Sequence, residues 1–184
     1  MTPEQVVGVM KRSRCLYTQE QVELAIDSLA ACIELELSER NPIILCVMTG
    51  GMVLAGKLLT RLNFPLNVDY IHATRYQGAT QGAKLNWKAH PTLSLQDRTV
   101  VVVDDILDEG ATLAQIIEYC REQEAAAVYS SVLVDKQHER KFPNIKADYV
   151  GLEVEDYYVF GYGMDYHNYL RNAPGIFAVS EADL

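Results

Sequence analysis

Four consecutive valines, Val100 to Val103, run directly into Asp104 and Asp105, with Asp108, Gly110 and Thr112 close behind. A buried strand that ends in adjacent carboxylates, followed by a glycine turn and a helix, places oxygen ligands where open α/β sheets bind their substrates. The first-turn amides and positive end of the following helix suit a phosphate group. Asp104 and Asp105 could face sugar hydroxyls or a metal ion, both of which favour carboxylate oxygen. The plain alternative is a strand end with solvated acids ahead of an ordinary helix cap. The segment is not a nucleotide P-loop, because no Gly-Lys-Ser/Thr follows the turn.

Other stretches could add chemistry at the same edge. Val47-Met48-Thr49-Gly50-Gly51 ends an apolar run in a glycine turn, which could serve geometry alone. Arg75-Tyr76 opens a polar stretch that reads equally well as a surface loop. Leu133-Val134-Asp135-Lys136 ends another apolar run, and a lysine there is usually solvated. Tyr157 to Tyr166 is rich in aromatics, which more often supply core than a ligand platform. His72, His90, His138 and His167 have no ligand-like spacing and read as structural or surface residues.

Elements must bring these residues together. Thr2-Pro3-Glu4-Gln5 predicts a capped helix start, and Thr18 with Gln21 predicts a second. The second helix carries Val22, Ile26, Leu29, Ile33 and Leu37 on one face. Ile43–Val47, Leu66–Ala73, Thr99–Val103 and Ala127–Val134 read as strands, with helices over Met52–Leu62 and Thr112–Gln123. Thr74–Asn86 reads as a long mobile loop. Continuous apolar strands alternating with helices predict an α/β fold with a mostly parallel, two-sided sheet. The expected single domain has a core over about 40–147 and a small hood from about 1–39 and 148–184.

The 184 residues suffice for one sizeable core. A net charge of −9 argues against nucleic-acid binding, which needs a basic footprint. No apolar run approaches a membrane span, and the N-terminus lacks signal-peptide organisation. Cys15, Cys32, Cys46 and Cys120 lie far apart without metal-ligand spacing, so reduced cysteines in a cytoplasmic protein are expected.

The segment Val100–Thr112 resembles the 5-phosphoribosyl-1-pyrophosphate signature of type I phosphoribosyltransferases: apolar strand, two acids, two apolar residues, Asp, and a short turn ending in Thr. From about Leu16 to Val179 the chain is similar to the hypoxanthine-guanine branch of that family. The resemblance implies that Asp108, Glu109, Gly110, Ala111 and Thr112 cradle the 5-phosphate. Asp104 and Asp105 would hold the ribose hydroxyls directly or through Mg²⁺, and Asp108 would be the general base near the purine N7. Thr49 and Gly50 would bind pyrophosphate through backbone amides, with a cis peptide mapping to Met48–Thr49. Thr49 stands where many relatives carry a basic residue. Arg75 replaces a serine in the Ser-Tyr pair that begins the family's flap, whereas Tyr76 matches.

The same resemblance implies that Lys136 donates to the purine 6-oxo group. Tyr158 would stack on the ring and the Val159 backbone would read its edge. Asp165 would lie near a second Mg²⁺, and Arg171 would contact pyrophosphate. The expected substrates are therefore 5-phosphoribosyl-1-pyrophosphate and a 6-oxopurine, used by a homo-oligomer, dimer or tetramer. The alternatives are a non-enzymatic regulator on the same fold, or an enzyme for another base such as xanthine.

Overall fold

A computed structural model of the chain describes residues 1–74 and 86–184. Helix α1 (Pro3–Arg12) and helix α2 (Gln19–Leu37) both begin with complete capping boxes, Thr2 with Gln5 and Thr18 with Gln21. Each box satisfies amide donors that a helix start leaves unpaired. The predicted apolar face of α2 is buried, Val22, Ile26 and Ile33 completely.

The main sheet contains β2 (Ile43–Val47), β3 (Asn67–Thr74), β4 (Asn86–Ala89), β5 (Thr99–Leu107), β6 (Ala127–Lys136) and β7 (Tyr149–Val154), in the order β4-β3-β2-β5-β6-β7. All neighbours are parallel except the edge pair β3–β4. Val101 and Val103 face the layer of α2 and α3 (Met52–Leu59), while Val100 and Val102 face α4 (Ala111–Glu122). Both faces of β5 are covered, which is why its valine run has no polar alternation. A small antiparallel sheet of β1 (Arg14–Thr18), β9 (Gly175–Ala178) and β8 (Val159–Phe160) forms a second layer of strands.

Several boundaries differ from expectation. β5 continues past Val103 because Asp104, Ile106 and Leu107 keep pairing with β6, so the two acids lie within the strand. β6 likewise extends to Lys136, and α3 stops at Leu59. α2 packs in the core with the main sheet, and β7 is one of its strands, although both fall in ranges assigned to the hood. Of the loop expected over Thr74–Asn86, residues 75–85, with Arg75 and Tyr76, lie outside the described residues. Its two ends, Thr74 and Asn86, pair directly.

Candidate active site

β2 sends the chain to β3 on one side, and β5 lies on the other. The switch in strand order therefore falls between β2 and β5, where open α/β sheets form a crevice beyond the strand ends. At this point β2 runs into Met48, Thr49, Gly50 and Gly51, and the Met48–Thr49 peptide bond is cis. The turn lies against β5: a Cβ on Gly50 would stand 2.1 Å from Asp105 Oδ2. A side chain there would force the turn and the acid apart.

Asp105 is 8% exposed, and its N–H donates to Asp104 Oδ1 at 2.9 Å. Burial and then the neighbouring Asp105 charge push the Asp104 carboxyl well above its ordinary pKa. Burial raises Asp105 as well, against the opposing pull of the Asp104 hydrogen bond and Arg171. Arg171 stands 3.9 Å from Asp105 Oδ2, beyond hydrogen-bond range. Its other contacts are with Asp165 Oδ1 at 2.6 Å and the Gly163 carbonyl at 2.5 Å. Asp165 Oδ2 also accepts the Asn168 N–H at 2.8 Å.

Past β5 the chain turns through Asp108, Glu109 and Gly110 into α4. Gly110 has φ +81, a left-handed conformation that favours glycine, and a Cβ there would also collide with Ile145 and Leu107. Asp108 Oδ2 accepts Lys136 Nζ at 2.9 Å, and Oδ1 accepts His138 Nε2 at 2.7 Å. Burial alone would raise the Asp108 pKa, but these two donors outweigh it and hold the group below its ordinary value.

A cleft of about 400 Å³ joins these parts. Gly50, Asp104, Asp105, Asp108, Gly110 and Thr112 line one side; Lys136, Tyr158, Val159, Asp165 and Arg171 complete it. Thr49, Glu109 and Ala111 belong to the same turns without lining it. Tyr158 is 41% exposed, with its ring 5.5 Å from that of Tyr166. Its neighbour Val159 is buried and pairs with Ala178.

The profile of the phosphoribosyl transferase domain matches residues 14–167. The chain belongs to the phosphoribosyltransferase family. Among its relatives is the hypoxanthine-guanine-xanthine phosphoribosyltransferase of Tritrichomonas foetus, 34% identical over 92% of each chain. The hypoxanthine-guanine phosphoribosyltransferase of Bacillus subtilis is 29% identical over 89% of this chain and 91% of that one. A solved hypoxanthine phosphoribosyltransferase from Staphylococcus aureus superposes with a TM-score of 0.86 at 26% identity, covering 91% of each chain.

In this phosphoribosyltransferase the donor set of Asp104 and Asp105 fits a hard divalent cation. Asp105 is buried and Asp104 half-buried beside it, and a cation held there would favour the charged form of both carboxylates. No group of three or more His, Cys, Asp or Glu side chains suited to a metal occurs among the described residues. Mg²⁺ is commonly held by one or two carboxylates together with substrate phosphates and water. His138, read from the sequence as structural or surface, has a buried side chain, and its contact with Asp108 was not foreseen. The signal available was its place two residues after Lys136, at the end of a strand that points to the cleft.

Proposed function

We propose that this phosphoribosyltransferase acts in purine salvage, moving the 5-phosphoribosyl group of 5-phosphoribosyl-1-pyrophosphate to N9 of hypoxanthine or guanine. The observation that carries this reading is the Lys136–Asp108 pair, 2.9 Å apart at the cleft that Tyr158 also lines. A 6-oxopurine presents an acceptor at O6 beside an N7–H donor, and an ammonium beside a carboxylate is complementary to that edge. Tyr158 offers a π face to the ring, and the Val159 backbone its edge.

The bond from C1 of ribose to pyrophosphate breaks as the bond from C1 to N9 forms, giving IMP or GMP and pyrophosphate. Asp108 takes the proton from N7 as positive charge builds on the purine. The Asp108–Thr112 turn holds the 5-phosphate, with first-turn amides of α4 as donors. Thr49 and Gly50 hold pyrophosphate through the backbone. Asp104 and Asp105 would hold the ribose hydroxyls and Mg²⁺, which when bound would neutralise charge on the departing pyrophosphate. Asp165 and Arg171 are paired at 2.6 Å; by the family resemblance Asp165 would lie near a second Mg²⁺ and Arg171 would contact pyrophosphate.

Xanthine is a second acceptor reading, favoured by the name of the Tritrichomonas relative. A homo-oligomer is supported by the uncovered face of β3, where Val68 is 49% and Tyr70 48% exposed. All four cysteines are free, which supports a reducing, cytoplasmic setting. No helix among the described residues is long and apolar enough to cross a membrane. The test is nucleotide formation from 5-phosphoribosyl-1-pyrophosphate with hypoxanthine or guanine, before and after chelation of Mg²⁺. Product that needs both the base and the cation is expected. Turnover untouched by chelation would contradict the metal assignment, and absence of product with either base would contradict the function.

A further inference from the structure

We infer that His138 is a positioning residue that anchors one oxygen of Asp108, so that the other is presented to the purine when Lys136 leaves it. The inference rests on the 6-oxopurine reading. In the structure both Asp108 oxygens are engaged, Oδ2 by Lys136 and Oδ1 by His138. Lys136 has a second task, donation to O6, and its flexible ammonium can turn away from Oδ2 to perform it. His138 has no such alternative. Its side chain is 4% exposed, and its Nδ1 accepts the Arg140 N–H at 3.1 Å. With Nδ1 an acceptor, the ring proton sits on Nε2, which donates to Asp108.

The turn that carries His138 is itself fixed. The Arg140 guanidinium makes two hydrogen bonds to Asp156, at 2.7 and 2.8 Å. The Phe142 N–H donates to the Glu109 carbonyl at 2.6 Å, tying this segment to the phosphate turn. An aspartate carboxylate otherwise rotates readily about its last torsion, where the energy wells are broad. Once Lys136 departs, a carboxylate with no other donor would sample many orientations. With Oδ1 held by His138, Oδ2 stays aimed where Lys136 left it, beside O6 and facing N7–H. A base with an acceptor at position 6 thus draws off the lysine and frees the catalytic oxygen in one movement.

Two near-isosteric substitutions separate this role from packing. In His138→Asn the side-chain oxygen can still accept the Arg140 N–H, but nothing reaches Asp108. In His138→Gln the amide nitrogen extends to about the place of Nε2. H138N should lower kcat on hypoxanthine roughly 10- to 100-fold while KM for 5-phosphoribosyl-1-pyrophosphate stays unchanged. The acidic limb of its kcat profile should move to higher pH, because Asp108 loses a donor that favours its charged form. H138Q should recover most of kcat and return the limb towards its original place. Should H138N fail to bind 5-phosphoribosyl-1-pyrophosphate, His138→Phe, which fills the space without a donor, takes its place. An unmoved limb with equal losses in H138N and H138Q would assign His138 to packing and overturn the inference, as would unchanged kcat in H138N. Lack of hypoxanthine turnover in the unmodified enzyme would instead sink the 6-oxopurine reading, and this inference with it.

Discussion

Asp108 has two donors, and they differ in what they can do next. Lys136 can exchange the carboxylate for a carbonyl oxygen on the base; His138 is held on both sides. Asp108→Asn keeps the shape of the side chain but cannot take a proton. Its kcat should fall about 10²- to 10⁴-fold, the usual worth of general-base catalysis, with little change in 5-phosphoribosyl-1-pyrophosphate affinity. Steady-state kinetics and a binding titration would check both, and near-normal turnover would remove Asp108 as the base. At this scale the sequence was legible where chemistry clusters locally: Asp104, Asp105 and Asp108 lie within five positions of one another. Lys136 and Arg171 were singled out through resemblance alone, and both line the cleft. The His138–Asp108 contact was not legible, because the partners lie 30 residues apart and only the fold brings them together.

Elements hold these residues through a few close approaches. Gly50→Ala would place a methyl group on the Asp105 carboxylate, so either the turn or the acid must move. Overpacking of this kind costs about 1–3 kcal/mol, and the distortion falls on the proposed pyrophosphate and ribose sites. A loss of 5-phosphoribosyl-1-pyrophosphate affinity exceeding any loss of purine affinity is expected by titration. Glu23 on α2 is a second such point. Burial would raise its pKa, but hydrogen bonds from Lys57, Tyr162 and Arg61 outweigh it and bring it to about 2 from an ordinary 4.5. Its contribution to stability is therefore complete above about pH 4.5 and is lost as pH falls through about 2. Glu23→Gln should lower stability near neutral pH by about 1–2 kcal/mol, a figure reduced for solvent screening. Urea denaturation should show the gap narrowing below about pH 4.5; a gap independent of pH would exclude charge as its cause. The capped starts of α1 and α2 and the strand cores were read correctly from local pattern. The end of β5 was not: two acids look like a strand's end, yet Asp104 and Leu107 still pair with β6. β4 was missed as well: Asn86-Trp87-Lys88-Ala89 does alternate polar and apolar, but it is only four residues long and begins at the end of the polar stretch read as a loop.

For the whole molecule, the strand order does what no single motif can. The reversal between β2 and β5 creates the crevice, β6 brings Lys136 to its edge, and the Tyr158–Arg171 segment supplies the remaining side. The proposed phosphate, metal and base sites therefore converge from segments more than a hundred residues apart, although the chain carries a net charge of −9. In the proposed reaction substrate phosphates would be met by local amides, Arg171 and a metal rather than by a broad positive field. The central claim is that this convergence selects a base with an acceptor at position 6. A site built to hydrogen-bond a polar group can reject an analogue without it by ~10⁴-fold or more, because its buried donor is left unpaired. The direct measurement is kcat/KM for hypoxanthine and for adenine, in the unmodified enzyme and in Lys136→Met. A strong preference for hypoxanthine is expected, eroded in K136M mainly through lost activity on hypoxanthine. Efficient use of adenine by the unmodified enzyme would contradict the account.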